Sequence, residues 1–343
     1  MNTKLLKINP KRPQISKIRY TAALIKEGKI VAFPTETVYG LGANALDASA
    51  IKRIFMAKGR PSDNPLIIHI YDKNDVQKLA KEIPIITKKI IDKFWPGPLT
   101  IVLKKSKIIP KITTGGLETI AIRMPKNKIA QLLIREAKTP IAAPSANFFG
   151  RPSPTMAKHV QEDLSDRIDL IIDGGQTRIG IESTVIDLTR KVPMLLRPGG
   201  ITLEQLQGII GKVDIHPLLR GKKSKSAYRS PGMRYKHYSP HAKVILIEGT
   251  RHNVHKKITQ LVNQLKKQQK RIGIMTTKRA KYNVDAVEFI GNNDKFAASL
   301  FKTFREFDSK KIDIIIVQGI SQKGLGLGIM NRLEKAAYKK IKV

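Results

Sequence analysis

The chain has 343 residues, of which 41% are hydrophobic and 27% charged, and this composition predicts globular packing in two domains rather than disorder. Its 64 basic and 27 acidic residues give a formal net charge of +37, which indicates a nucleic acid, nucleotide or other polyanionic partner. Cysteine is absent, which excludes disulfides, thiol catalysis and cysteine-ligated zinc, and without a long apolar run or secretory signal we expect a cytoplasmic protein with no membrane partner.

The first part of the chain alternates strand-like and helix-like segments up to about Gly211, which predicts an α/β domain over residues 1–211. Helices are expected at Ile18–Lys26 and Ile129–Ala137, with another that Asp47 caps and that ends at Gly59. Strands are expected at Lys29–Phe33, Leu66–Ile70, Leu99–Leu103, Thr119–Ile122, Pro140–Ala143, Asp169–Ile172, Ser183–Leu188 and Met194–Leu196.

Residues 212–241 are polar and basic and are broken by Pro231 and Pro240, so they predict a long linker. A smaller α/β domain is expected over residues 242–343. Its expected strands are Val244–Ile247, Ile272–Met275 and Ile312–Val317, and its expected helices are Val254–Lys267, Asp294–Phe307 and Ile329–Lys340. Three strands separated by helices predict a small doubly wound, Rossmann-like sheet.

A first polar signature, KGRPSDNPL, runs from Lys58 to Leu66. Its lysine falls on the apolar stripe of the preceding helix, where a charged side chain needs a specific partner. Lys58 and Arg60 are therefore candidate catalytic cations for a bound triphosphate, and Asn64 adds a neutral hydrogen-bond donor. The alternative is a solvated turn in which the lysine reaches water.

A second polar signature, APSANFFGRPSPT, runs from Ala143 to Thr155 and offers Ser145, Asn147 and Ser153. It follows a predicted strand, and ligands in open α/β sheets bind at the carboxyl ends of strands. The alternative is a polar loop in which Ser153 caps the helix expected near Thr155.

Two arginines and one histidine stand at or near the ends of apolar strands. Arg123 follows Ile120–Ile122 and Arg197 follows Met194–Leu196, so each cation needs an anionic partner in the protein or in a ligand. His69 lies between two isoleucines, where a core histidine is the ordinary interpretation. Lysines are scattered along the whole chain and aromatic residues make up only 6%, so compositional bias and a nucleic-acid footprint both remain open.

Taken together, the two signatures and several further segments resemble the YrdC/Sua5 family of threonylcarbamoyl-adenylate synthases in its two-domain form. The further segments are FPTETVYGLGANA (33–45), FWPGPLTIVL (94–103), IAIRMP (120–125), ESTVIDL (182–188), LLRPGG (195–200), SPGMRYKHYSP (230–240) and GLGLGIMNRLEKAA (324–337). The resemblance implies an α/β fold in which a YrdC-like twisted open sheet is joined by the linker to a smaller Rossmann-like Sua5 domain.

The resemblance also implies an activity: L-threonine, bicarbonate or CO2, and ATP would give threonylcarbamoyl-AMP and pyrophosphate for the t6A modification of tRNA. Mg²⁺ would accompany the ATP, with no tightly held protein-ligated metal. A Kae1/TsaD-type transferase would receive the product, and the charge would suit tRNA or double-stranded RNA. A non-catalytic RNA-binding module is one alternative. Carbamoyl transfer in hydrogenase maturation is another, which the absence of cysteine opposes.

Site residues are implied by the same resemblance. Those expected to hold threonine are Thr37, His69, Arg123, Ala143 and Ser183. Those expected to hold ATP are Lys58, Arg60, Asn64, Thr119, Ser145, Asn147, Ser153, Arg197 and Tyr235. Because Tyr235 lies in the linker, we expect residues 230–240 to act as a lid that keeps water from a labile intermediate, the alternative being a passive tether.

Overall fold

A computed structural model describes residues 2–221, 237–277 and 279–343 of the chain. The chain divides into two compact units, the first comprising Met1–Phe149 and Ser153–Tyr235 and the second Gly150–Pro152 and Lys236–Val343.

The first unit contains strands and helices in alternation, as its sequence pattern predicts. Its strands are β1 (Lys4–Lys7), β2 (Val31–Pro34), β3 (Tyr39–Asn44), β4 (Ile67–His69), β5 (Ala80–Glu82), β6 (Leu99–Lys105), β7 (Thr119–Arg123), β8 (Ile141–Ala142), β9 (Leu170–Asp173), β10 (Thr184–Asp187), β11 (Met194–Arg197) and β12 (Asp214–Ile215). Its helices are α1 (Ile15–Lys26), α2 (Ala48–Lys58), α3 (Asp75–Leu79), α4 (Ile85–Phe94), α5 (Lys128–Ala137), α6 (Ala157–Leu164) and α7 (Leu203–Ile210), with a 3₁₀ turn at Pro217–Arg220.

These strands form one mixed sheet of twelve strands in the order β1-β9-β2-β3-β8-β4-β7-β6-β10-β11-β12, with β5 added beside β6. On one part of the sheet, α1 and α5 bury a core that includes Ile18, Phe33, Leu133 and Ile172. Strand β12 pairs in parallel with β11, so the early part of the predicted linker belongs to this sheet.

Helix α2 begins and ends where its sequence predicts. The Asp47 carboxylate accepts hydrogen bonds from the backbone N–H groups of Ser49 and Ala50, which satisfies donors at the helix N-terminus. Gly59 ends the helix in the left-handed conformation at φ 59°, which glycine adopts without a steric penalty. Lys58 is the last residue of the helix and, as predicted from its spacing, is buried.

The second unit is a parallel α/β sheet. Its strands are β13 (Lys243–Glu248), β14 (Ile272–Thr276), β15 (Ala286–Phe289), β16 (Ile314–Gln318) and β17 (Ala337–Lys342), and its helices are α8 (Arg251–Lys267), α9 (Asn293–Ser309) and α10 (Gly326–Ala336). The strand order is β15-β14-β16-β13-β17, and each neighbouring pair is parallel. Helix α8 covers one face through Val254, Ile258 and Val262.

Two expectations and one alternative interpretation of local structure are wrong. The last helix was expected to run to Lys340, but it ends at Ala336 and the chain continues as β17 beside β13. The sheet of the second unit has five strands rather than three, because β15 and β17 add an edge on each side. Helix α6 is preceded by Met156 without a side-chain cap, so Ser153 does not cap it.

Candidate active site

One row of residues crosses five neighbouring strands of the first unit. On β4, β7 and β6, His69 pairs in register with Arg123, and Arg123 pairs with Thr100. On β10 and β11, Val185 pairs with Thr100 on one side and with Arg197 on the other. Because residues paired in register point to the same face of a sheet, their side chains lie side by side. We call these five residues the polar row, although its fourth member is a valine.

Arg123 is the central cation of the polar row and is only 4% exposed. Its Nε donates to the backbone oxygen of Gly97 at 3.3 Å, and its Nη1 donates to Thr37 Oγ1 at 2.9 Å. Its Nη2 lies 2.7 Å from Glu36 Oε1 in an ion pair. Two residues expected to hold threonine, Arg123 and Thr37, are thus hydrogen-bonded to each other in the fold, and Glu36 is an anionic partner that was not identified from the sequence.

His69 sits beside this guanidinium in a dry environment. Burial, together with the positive charge of Arg123, lowers the pKa of His69 from 6.5 to about 3. The edge of its ring meets Phe33, with ring centroids 6.2 Å apart. Its Nδ1 is buried and has no hydrogen-bond partner among the described residues. A neutral imidazole with an unsatisfied buried nitrogen can hydrogen-bond a ligand, and its low pKa makes it a weak general base.

Ser183 connects Thr100, the middle member of the polar row, to Arg197 at one end. Its Oγ lies 2.8 Å from Thr100 Oγ1 and accepts a hydrogen bond from Arg197 Nη2 at 3.1 Å. Arg197 Nε also donates to the backbone oxygen of Ser183 at 3.0 Å. Thr100 was missed by the sequence analysis, although a lone hydroxyl in the otherwise apolar segment Leu99–Leu103 is a signal that could have identified it.

The two signatures meet at Lys58. Its ammonium group donates to the backbone oxygens of Ser145 and Asn147, each at 2.5 Å. The backbone N–H of Phe149 donates in turn to the backbone oxygen of Lys58 at 2.9 Å. Lys58 therefore fixes the second signature to the end of α2, and its predicted contact with a triphosphate stays a prediction.

Arg60, Asn64 and Thr119 gather at the opposite end of β4 and β7. Arg60 Nη2 donates to the backbone oxygens of Asn64 at 3.4 Å and Pro65 at 3.3 Å. Asn64 Nδ2 is buried without a hydrogen-bond partner in the described parts of the chain. Thr119 faces the same side of β7 as Arg123 and lies four residues away, a span of roughly 13 Å along a strand.

The remaining predicted residues lie near these groups. Ser153 Oγ donates to Glu182 Oε1 at 2.6 Å, both side chains are buried, and Glu182 directly precedes Ser183 in the sequence. Ala143 is buried directly after β8, where its N–H donates to the backbone oxygen of Ile67 at 2.9 Å. Glu182 is a further acidic residue that the sequence analysis did not assign. Tyr235 lies outside the described residues, as does most of the proposed lid.

Across the ranges that the structure describes, we find no group of three or more histidine, aspartate or glutamate side chains arranged to hold a metal ion. The same ranges contain no helix long and apolar enough to cross a membrane.

Comparison with known proteins gives concordant matches over both units. Residues 23–199 match the family Sua5_yciO_yrdC, described as Telomere recombination, and residues 201–338 match Sua5_C, described as Threonylcarbamoyl-AMP synthase, C-terminal domain. The chain is 53% identical over 329 residues to a threonylcarbamoyl-AMP synthase of Pyrococcus abyssi, covering 95% of this chain and 96% of the relative. It is 47% identical over 332 residues to the Bacillus subtilis protein of the same name, covering 95% and 93%. A crystal structure of P. abyssi Sua5 complexed with L-threonine superposes with a TM-score of 0.95 at 52% identity, covering 99% of this chain and 100% of that one.

Proposed function

The chain belongs to the Sua5 family of threonylcarbamoyl-AMP synthases, and from that premise we propose that its polar row forms threonylcarbamoyl-AMP and pyrophosphate from L-threonine, bicarbonate or CO2, and ATP. The observation that carries this proposal is the strand pairing that connects His69, Arg123 and Arg197 across the sheet, with a register shift between β10 and β11 next to the Val185–Arg197 pair. A non-catalytic RNA-binding module would have no need to bury these groups.

Threonine would be held at the carboxyl ends of β4 and β7. Arg123 has terminal N–H donors left for the substrate carboxylate, since its hydrogen bonds to Gly97 and Thr37 use Nε and one N–H of Nη1, and Nη2 meets Glu36 only in an ion pair. His69 Nδ1 and the hydroxyls of Thr37 and Ser183 would bind the polar groups of the amino acid. Ala143, a residue with no side chain beyond Cβ, would leave room for the ligand.

ATP would lie next to the threonine, and two groups of residues would bind different parts of the nucleotide. Arg197, Ser153 and the junction formed by Lys58, Ser145 and Asn147 would bind phosphate oxygens, which the charge of guanidinium and ammonium groups favours. Arg60, Asn64 and Thr119 would bind at the other end of β7. Because this end lies roughly 13 Å from Arg123 along the strand, it is far enough away for a second part of the nucleotide.

The chemistry requires alignment and charge neutralisation rather than a protein nucleophile. The threonine amine and bicarbonate give a carbamate and water, and a carbamate oxygen then attacks the α-phosphorus of ATP while pyrophosphate leaves. Cations positioned around the phosphates stabilise the charge that develops in this step. Burial of the polar row excludes water from the acyl-phosphate product.

Mg²⁺ would enter as part of the ATP substrate. The acidic side chains near the polar row include Glu36, which pairs with Arg123, and Glu182, which contacts Ser153. This donor set suits a metal carried on phosphate oxygens better than a protein-built cage, since Mg²⁺ is commonly bound through substrate phosphates.

The product would be passed to a Kae1/TsaD-type transferase that completes t6A in tRNA, and the site of this transfer would be the cytoplasm. An acyl-adenylate hydrolyses in water, so a direct hand-over to the transferase would protect it.

Pyrophosphate release from ATP tests the proposal. The purified chain is supplied with MgATP alone, with L-threonine or bicarbonate added singly, and with both. We expect sustained pyrophosphate release only with both, together with a threonylcarbamoyl-AMP ion in the mass spectrum. ATP breakdown that is indifferent to threonine would overturn the proposal.

A further inference from the structure

Glu36 is a buried acid in contact with the group that we assign to the substrate carboxylate. Its side chain is 11% exposed, and its Oε1 lies 2.7 Å from Arg123 Nη2. A buried guanidinium without an anionic partner is costly, so Glu36 neutralises Arg123 while the site holds no threonine.

The second carboxylate oxygen of Glu36 is hydrogen-bonded to the loop that follows β7. Glu36 Oε2 accepts a hydrogen bond from the backbone N–H of Lys126 at 3.0 Å, immediately after β7. The backbone oxygen of Glu36 accepts from the N–H of Ile179 at 2.8 Å, and that of Thr37 accepts from Gly180 at 3.0 Å. The backbone of Glu36 and Thr37 is therefore anchored to the 179–180 segment, and the carboxylate has a second contact besides Arg123.

Neighbouring Thr37 contacts the other terminal nitrogen of the same guanidinium. Its hydroxyl accepts from Arg123 Nη1 at 2.9 Å and lies 2.8 Å from Thr35 Oγ1. The dipeptide Glu36–Thr37 thus contacts both terminal nitrogens of one guanidinium, and the orientation of that group follows from where the dipeptide is anchored.

From this geometry we propose that Glu36 is a positioning residue for threonine recognition: it acts through Arg123 to aim the remaining terminal N–H donors at the substrate carboxylate. The proposal rests on the proposed function of the site. It predicts an effect confined to the amino acid, because Arg60, Asn64 and Thr119 lie toward the other end of β7 from Arg123.

The test is steady-state kinetics of the full chain with Glu36→Ala, with Glu36→Gln and with the exposed control Glu27→Ala. Loss of a charge-assisted contact corresponds to about 10- to 100-fold in binding. We expect Glu36→Ala to raise the KM for threonine by that factor while the KM for ATP stays within about twofold. Glu36→Gln keeps one acceptor oxygen and should lie between Glu36→Ala and the parent.

Glu36→Ala in an Arg123→Ala background distinguishes an effect through Arg123 from a direct effect of Glu36 on threonine. There, Glu36→Ala should change the kcat/KM for threonine no further, since the group through which it acts is gone. If Glu36→Ala is too unstable to assay, the proposal is tested instead with Glu36→Gln, alone and combined with Arg123→Ala in a double-mutant cycle. An unchanged threonine KM in a folded variant, or equal losses for threonine and ATP, would refute the proposal. If the parent itself shows no threonine-dependent turnover, it is instead the proposed function that fails.

Discussion

At the scale of single residues, His69 gives the site a pH dependence with a definite sign. Its pKa is lowered from 6.5 to about 3 by burial and by Arg123, so between these values the unfolded chain binds the proton and the folded chain does not. The free energy of unfolding therefore falls as pH is lowered through this range, and above pH 6.5 His69 causes no such loss.

The matching variant is His69→Gln, which keeps a polar side chain but does not titrate. Between about pH 7 and pH 5 the parent should lose about 2 kcal/mol more unfolding free energy than this variant. Urea denaturation at the two pH values measures the difference. Equal losses in parent and variant would show that His69 is protonated in the fold.

Lys58 offers a second test at the residue scale, because one ammonium group connects the two signatures. Lys58→Met keeps the stem but leaves the buried carbonyls of Ser145 and Asn147 without this donor, which should cost about 1–3 kcal/mol. We also expect the KM of this variant for ATP to be higher than that of the parent protein. Lys52→Met, on the exposed side of the same helix, is the control, and matching losses in both variants would contradict this assignment.

At the scale of elements, the N-terminus of α2 depends on Asp47. Asp47→Ala removes the acceptor for Ser49 and Ala50 and should lower the free energy of unfolding by about 1 kcal/mol. Asn74→Ala is a suitable control, since Asn74 occupies the equivalent position of α3 without a side-chain hydrogen bond. Denaturant titration compares them; the cap assignment fails if the two substitutions cost the same.

Elements with local signals were predictable and elements that depend on distant neighbours were not. Asp47 and Gly59 marked both ends of α2 from the sequence alone. The β17 segment AYKKIK looks like the end of a lysine-rich helix, and it is a strand because β13 supplies parallel hydrogen bonds from far along the chain. Helix propensity is weak enough for such tertiary pairing to override it.

Strand β3 illustrates the same limit. Its sequence YGLGAN contains glycines, which favour turns in a local interpretation. In the fold, a Cβ at Gly42 would come within 2.6 Å of the Phe33 ring and 2.7 Å of Ile141 Cγ2. This glycine is therefore required by close packing between strands, a reason that becomes visible only once the sheet is assembled.

For the site, sequence patterns identified the strand-end cations but not the residues that orient them. Arg123 was expected to need an anion, yet the pattern gave no means of choosing Glu36 from among the acids of the chain. Thr100 was hidden in an apolar segment. Both become evident when neighbouring strands are placed in register, because register is a property of pairs of segments.

At the scale of the whole molecule, the basic residues divide into a few buried cations near the proposed site and a much larger number elsewhere in the chain. Lys58, Arg60, Arg123 and Arg197 are each less than 10% exposed and are the cations that we assign to the proposed site. They are four of 64 basic residues, and most of the excess remains elsewhere in the chain. Whether that excess forms a nucleic-acid footprint stays a prediction, separate from the chemistry of the site.

The central claim is that one face of the sheet holds threonine near Arg123 and the nucleotide near Arg60. Calorimetric titration of L-threonine and of a non-hydrolysable ATP analogue, each alone, into Arg123→Ala and Arg60→Ala tests it directly. The account predicts that Arg123→Ala loses about 10- to 100-fold in threonine affinity but keeps the nucleotide, and that Arg60→Ala does the reverse. Folded variants that bind both ligands as the parent does, or that lose both equally, would contradict it.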